Sequence, residues 1–302
     1  MEGTKRDHFA EVTGKIIAQL EQGIVPWHQP WGFCEPAQNH FTGHRYRGIN
    51  SLLMLMEDYK TPYFATIKQI NEAGGRVKKG SKSTQVYFHD CIYKDKNGAR
   101  LTPDVALPRI KAGDSTVRKY PFIRLFPVFN MDSVEGCPVK SAIRRSETDN
   151  HEIAVCADFV TALNLGNQLR HANVDEAFFH KKDDYVQMPP LDVFRSSELY
   201  YGVLFHELTH WTGHADRLNR KTLTEALKFG DTNYSLEELT AELGSTFLCN
   251  TFGIDTPDTL QNQAAYIANW LGVLKKNSRF IWDAASDAQA AFTYLIDRAG
   301  TY

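Results

Sequence analysis

Apolar residues recur at helical spacing across residues 7–21, where Phe9, Val12, Ile16, Ile17 and Leu20 share a face and Gly23 follows as a stop. An amphipathic opening helix is predicted there. Pro26-Trp27-His28-Gln29-Pro30-Trp31 breaks it, because two prolines disfavour helix and hold two indoles in an extended segment. Between Thr84 and Arg124 the pattern becomes strand-like: Val86, Tyr87, Phe88, Ile92 and Tyr93 precede Asp95-Lys96-Asn97-Gly98, a hairpin signal since Asn-Gly readily takes positive φ. A further apolar run, Pro121 to Phe129, can pair back onto that hairpin. From Met131 to Glu152 the chain is polar and aperiodic, with Gly136 and Pro138, and a linker is expected. Helical spacing then dominates near 151–164, 196–212, 235–250, 259–272 and 277–299. The expected fold class is α+β: an α+β domain over 1–130, a linker over 131–150 and a mainly helical domain over 151–302.

At 302 residues, two cores are favoured over one. Hydrophobic residues at 42% and charged residues at 23% exclude extended disorder. No apolar run is long enough for a membrane helix and no secretory leader is evident, so a cytoplasmic protein is expected. The five cysteines are scattered and never in C-x-x-C pairs, which argues against disulfides and thiolate zinc sites. The net charge of −2 hides an asymmetry: residues 61–130 hold 13 Lys/Arg against 5 Asp/Glu, a balance of +8, leaving −10 elsewhere. That segment is a candidate polyanion surface.

One motif carries metal chemistry. Ser196 or Ser197 can cap a helix running to Thr212, with Gly213 supplying a positive φ at its end. His206 and His210 then lie one turn apart on one face and can reach a single cation. Glu207 stands beside the first of them, placed to take a proton from water activated by the metal. The spacing leaves two candidates for a third ligand. Asp216 lies past Gly213 at a metzincin-like distance, whereas Glu242 lies on the next helix, as in thermolysin-type gluzincin sites. Ser235 and Glu238 fit a capping box, which gives Glu238 a structural task. Glu242 sits among small residues, in Ala241-Glu242-Leu243-Gly244-Ser245, where another helix can approach closely. His214 falls beyond the helix end and is expected at the surface or behind a ligand.

In the basic segment Lys68, Arg76, Lys78, Lys79 and Lys82 surround glycine turns, interleaved with aromatics that include Tyr87, and Arg45 and Arg47 can extend the surface. Cations that track phosphates beside rings that stack on bases suit single-stranded DNA. A double-strand mimic is disfavoured because the acid is diffuse, and no acidic cluster suited to magnesium nuclease chemistry is evident.

Several stretches resemble the ArdC-type antirestriction proteins of conjugative plasmids. They are Asp184-Tyr185-Val186-Gln187-Met188-Pro189, the run from Tyr200-Tyr201 through His206-Glu207-Leu208-Thr209-His210-Trp211-Thr212-Gly213-His214, and Glu237-Glu238-Leu239-Thr240-Ala241-Glu242-Leu243. In the first half Pro26 to Trp31 and Gly74-Gly75-Arg76-Val77-Lys78-Lys79-Gly80 are similar to that family's DNA-binding domain. The resemblance implies a single-stranded-DNA-binding domain followed by a zincin-like metallopeptidase domain, with zinc, one ion per chain, or another divalent metal. It implies protection of incoming plasmid DNA from restriction, and an unidentified protein substrate. It adds Trp27 and Trp31 to the candidate DNA contacts and favours Glu242 as third ligand, although Thr246 then stands where gluzincin helices often carry an acid. The competing expectation is a non-proteolytic protein that shields single-stranded DNA, its metal structural.

Overall fold

The computed structural model describes residues 7–27, 36–57, 59–140, 153–174, 176–225, 232–254 and 263–300, the side chains of 263–267 excepted. Trp31 and linker residues 141–150 lie outside the described residues. The chain divides into two compact units: residues 64–138 form one, and residues 1–63 together with 139–302 form the other.

The discontinuous unit begins with α1 (His8–Leu20), capped by the Asp7 carboxylate, which accepts from the Phe9 and Ala10 amides. Its apolar stripe, Val12, Ile16 and Leu20, is buried as the spacing predicts. The short strand β1 (Gln38–Asn39) and α2 (Ile49–Leu55) follow. Trp27 is 0% exposed and packs on Trp270 with ring centroids 5.5 Å apart.

The continuous unit holds β2 (Tyr63–Ala65), which begins at its boundary, α3 (Ile67–Glu72), β3 (Arg76–Val77), β4 (Thr84–Lys94), β5 (Arg100–Leu101), α4 (Pro103–Lys111), β6 (Arg118–Asn130) and β7 (Val134–Glu135). The Asp95 to Gly98 turn joins β4 to β5 as expected: Gly98 takes φ +82° and the Asp95 carboxylate accepts from the Asn97 and Ala99 amides. β6 pairs antiparallel with β4 from Thr84 opposite Val128 to Lys94 opposite Arg118. β7 pairs with β3, and Met131 and Val134 are buried, so residues 131–135 belong to this unit rather than to a linker.

The larger unit resumes with α5 (Ala154–Ala162), then β8 (Leu169–His171), β9 (Phe178–His180) and β10 (Tyr185–Met188), a three-stranded sheet in the order β8-β10-β9 that the hydrophobic pattern does not reveal. The remaining elements are α6 (Ser197–Thr212), α7 (Lys221–Thr224), α8 (Thr232–Thr251), α9 (Gln263–Leu274) and α10 (Phe280–Ala299). Their core joins Phe159, Val186, Leu204, Phe205, Leu208, Leu248 and Leu295, all fully buried. α6 and α8 approach closely at Gly244, where an added Cβ would stand 2.5 Å from the Thr209 side chain. Ser245 donates from its hydroxyl to the Gly202 carbonyl at 2.7 Å and ties the same two helices. Among the described residues no helix is long and apolar enough to cross a membrane.

Candidate metal centre

Ser196 caps α6 through its hydroxyl, which accepts from the Leu199 amide at 3.1 Å. Gly213 ends the helix at φ −76°, not the positive φ its position suggests. The glycine is needed for space: a Cβ there would stand 2.7 Å from the Arg220 guanidinium. On this helix the Nε2 atoms of His206 and His210 face each other at 3.2 Å. Two nitrogens bound tetrahedrally at 2.0–2.1 Å lie about 3.3–3.4 Å apart, so the pair is spaced for one cation.

The carboxylate that faces both ring atoms belongs to Glu238, whose oxygens lie 3.7 Å from His206 Nε2 and 3.6 Å from His210 Nε2. Among the described residues His206, His210 and Glu238 are the group whose ligand atoms all lie within 4.8 Å of one another. The expected capping box does not form: α8 already includes Thr232, so Ser235 lies inside the helix and accepts from Asn269 instead. Glu238 is thereby released to face the histidines. Glu242, one turn further on, meets the other nitrogen of His206, with its carboxylate 3.4 Å from Nδ1. Glu242 stands four residues after Glu238, the spacing at which gluzincin helices often carry an acid after the ligand glutamate. Asp216 is far more open; its side chain is 85% exposed and faces His214, outside the histidine–Glu238 group.

Behind His210 stands Glu237, its Oε1 3.1 Å from Nδ1. Arg220 holds that carboxylate, donating from Nη2 to Oε1 at 2.6 Å and from Nε to Oε2 at 3.1 Å, while the Thr222 hydroxyl donates to Oε2 at 2.6 Å. Arg220 also donates to the Thr212 hydroxyl and the Thr209 carbonyl, bracing the end of α6. Each histidine thus has a carboxylate on its Nδ1 side, which fixes the ring and leaves Nε2 aimed at the cradle. Burial works against charge on His206, but Glu238, Glu242 and the charge of Glu207 outweigh it and hold the imidazole well above its usual range. Burial likewise opposes the Glu237 carboxylate, yet His210 and Arg220 hold it down at about 2. A pocket so rich in carboxylate suits a cation. Neither Glu237 nor Arg220 was singled out by sequence, since nothing local ties residue 220 to residue 237.

The strand-rich unit distributes its aromatics by strand alternation. Tyr87 and Tyr93 point inward and are buried, so Tyr87 is not the ring that faces solvent. Trp27 is also corrected, since its ring is wholly enclosed against Trp270. The opposite face of the β4–β6 ribbon carries Phe88, Tyr120 and Phe126, exposed at 51%, 44% and 42%. Arg124 lies over Phe122 at 5.0 Å and Lys94 over Tyr120 at 5.5 Å on the same face. Period-two alternation was the available signal for these rings. Of the expected cations, Lys79 and Lys82 are exposed, Lys68 pairs with Glu72, Arg76 pairs with Glu135, and Lys78 donates to the Asp132 carbonyl. Arg45 and Arg47 are exposed in the other unit.

Two histidines one turn apart with an acid from a later helix, α8, define the zincin class, and residues 157–287 match the zincin-like metallopeptidase family. Residues 6–129 match the N-terminal domain of anti-restriction factor ArdC. The chain belongs to the ArdC family of antirestriction proteins. It is 32% identical to the antirestriction ArdC protein of plasmid R388 in its metal-free crystal structure, with a TM-score of 0.78 over 98% of this chain and 99% of that one. The Mn(II)-bound structure of that protein matches at 30% identity and TM-score 0.74, over 98% and 100% of the two chains. Protein y4eC of Sinorhizobium fredii is 31% identical over 95% of this chain and 90% of its own length. Two DNA primase TraC proteins of Escherichia coli match at 30% and 31% identity over 98% and 97% of this chain, which spans only 28% and 20% of their lengths.

Proposed function

We propose that this chain is a cytoplasmic, plasmid-type antirestriction protein that binds single-stranded DNA and cleaves a protein at a divalent metal, zinc by the chemistry of its donors. The observation that carries the catalytic half is the convergence of His206 Nε2, His210 Nε2 and the Glu238 carboxylate. These three would hold the ion; Glu242 and Glu237 orient the two imidazoles from behind. A bound divalent ion in such a site lowers the pKa of water to about 7 and polarises a carbonyl. Glu207, next to His206 on α6, takes the proton from the attacking water and returns it to the leaving amine. The exposed rings and cations of the β4–β6 face support the DNA-binding half.

Metal content measured by mass spectrometry tests the ligand set. Glu238→Ala is expected to lose the ion, Glu242→Ala to bind it about 10–100-fold more weakly, and Asp216→Ala to keep it. A Glu238→Ala protein that retains stoichiometric metal while Glu242→Ala loses it restores Glu242 as ligand. Glu207→Ala should keep the ion and lose proteolysis. The exposed β4–β6 face supports a second reading, steric shielding of the strand; restriction protection that survives Glu207→Ala establishes it in place of proteolysis.

A further inference from the structure

The larger unit contains a cavity of about 200 Å³ away from the histidines. Its apolar lining comes from Phe247 on α8 and Phe292 and Ile296 on α10, and Arg45 and Arg47 line it from the segment after β1. The two arginines flank buried Tyr46, and all three residues line the cavity. The segment is anchored: the Tyr46 amide donates to the Ala37 carbonyl at 2.9 Å, and the Gly48 amide donates to the Gln289 side-chain carbonyl on α10 at 2.9 Å. Asn250, Thr293 and Asp297 add hydrogen-bonding groups to the walls. The catalytic proposal uses none of these residues.

We infer that this cavity binds one nucleotide, its base against Phe247 and Phe292 and its phosphate toward Arg45 and Arg47. A lining that combines phenylalanines with two arginines matches a ligand with a planar ring at one end and an oxyanion at the other. The carboxylate of Asp297 would repel a purely anionic ligand but can accept from the exocyclic amine of a base, as acids do from cytosine N4. The volume lies below the roughly 300–1,000 Å³ of sites for drug-sized ligands, which limits the occupant to about a single nucleotide. The source is either one nucleotide of a bound single strand or a free mononucleotide; the first alternative rests on the DNA-binding reading above.

The test titrates dCMP into the full chain by calorimetry, and into Arg47→Gln and Phe292→Ala. Saturable binding that weakens about tenfold in each variant is expected. Arg47 is exposed, so its variant reports on the ligand even if Phe292→Ala loses stability, which thermal melting of that variant checks. A fluorescent single-stranded oligonucleotide separates the sources: weaker binding by Arg47→Gln identifies the strand, and unchanged binding beside lost dCMP binding identifies the free nucleotide. Absence of dCMP binding with unchanged oligonucleotide affinity in Arg47→Gln overturns the pocket while leaving the β4–β6 surface intact. Inorganic phosphate or a glutamate-rich peptide binding as tightly as dCMP overturns it as a nucleotide site. Loss of oligonucleotide binding in β4–β6 variants that still take dCMP supports the pocket as independent of that surface.

Discussion

Asp184 shows how a single side chain secures the neighbourhood of the metal helix from outside it. Its backbone sits at φ +52°, a conformation that Asp and Asn tolerate better than most residues. Its carboxylate accepts two hydrogen bonds from Arg217 and one from Gln168, and Arg217 lies 3.9 Å over the Trp211 ring on α6. The Arg217 hydrogen bonds lower the Asp184 pKa against the opposing effect of burial. A folded pKa below the unfolded one means that this stabilisation is complete above the ordinary carboxylate range and is lost as pH falls through the folded value. Asp184→Asn keeps the backbone preference and removes the charge. It is expected to cost about 1–3 kcal/mol at neutral pH and progressively less in acid, measured by urea unfolding over a pH series. An equal cost at all pH values would assign the effect to shape rather than charge. At this scale the sequence made the pairing of His206 with His210 legible because i and i+4 positions on a helix must share a face. It assigned Glu238 to a helix cap and Glu242 to the metal, although the two are themselves one turn apart. Which imidazole nitrogen each carboxylate meets depends on how α8 lies against α6, and Ser235 imitated a helix start inside a helix that begins earlier.

The contact between α6 and α8 is an element-scale constraint set by a missing methyl group. Gly244→Ala places a Cβ against the buried Thr209 side chain, whose hydroxyl is already committed to the Phe205 carbonyl at 2.8 Å. The helices must separate, at about 1–3 kcal/mol despite the better helix propensity of alanine. Gly272 on α9 supplies the contrast, since nothing lies within 4 Å of its added Cβ, and Gly272→Ala should stabilise by about 0.4–1 kcal/mol. Thermal melting of the two variants should therefore move in opposite directions. For the β4–β6 ribbon, Phe88→Ala and Phe126→Ala should each weaken single-stranded DNA binding by about 1–3 kcal/mol, with little effect on stability. A fluorescence titration that finds them silent would remove the stacking surface. The turn made the β4–β5 hairpin legible and the apolar run 121–129 its pairing with β6; the solvent-facing side of the ribbon was not legible, because Tyr87 and Phe88 differ only in the face to which the pleat assigns them. Small residues around Glu242 correctly signalled a close helix partner, whereas β8, β9 and β10 are three or four residues long, too short for periodicity to separate them from loop.

For the whole molecule, the division at residue 130 drawn from composition is not the division of contacts. α1 packs with α9 and α2 with α10, which places the first 63 residues in the unit that carries the metal cradle. Charge and hydropathy are properties of contiguous segments, so they reported the basic segment well and could not report a unit assembled from two separated ones. Removing residues 1–130 should therefore expose the faces of α9 and α10 and yield an unstable, aggregation-prone protein, whereas replacing 64–138 with a short flexible linker should leave a folded protein that still takes up metal. Size-exclusion chromatography with metal analysis distinguishes the two; a monomeric, metal-loaded protein lacking 1–130 would show the amino-terminal helices to be dispensable.

The nested order of the units also dictates a timetable on the ribosome. Residues 64–138 are continuous and can complete their fold while the rest of the chain is still being made at about 5–20 residues per second. The cradle waits for α10, which packs on α2, α6 and α8 and emerges after all three. A nascent chain halted before Phe280 would carry a complete strand-rich unit while α6 and α8 still lacked the helix that packs on both, so in newly synthesised protein the folding of residues 64–138 should precede the closing of the histidine cradle.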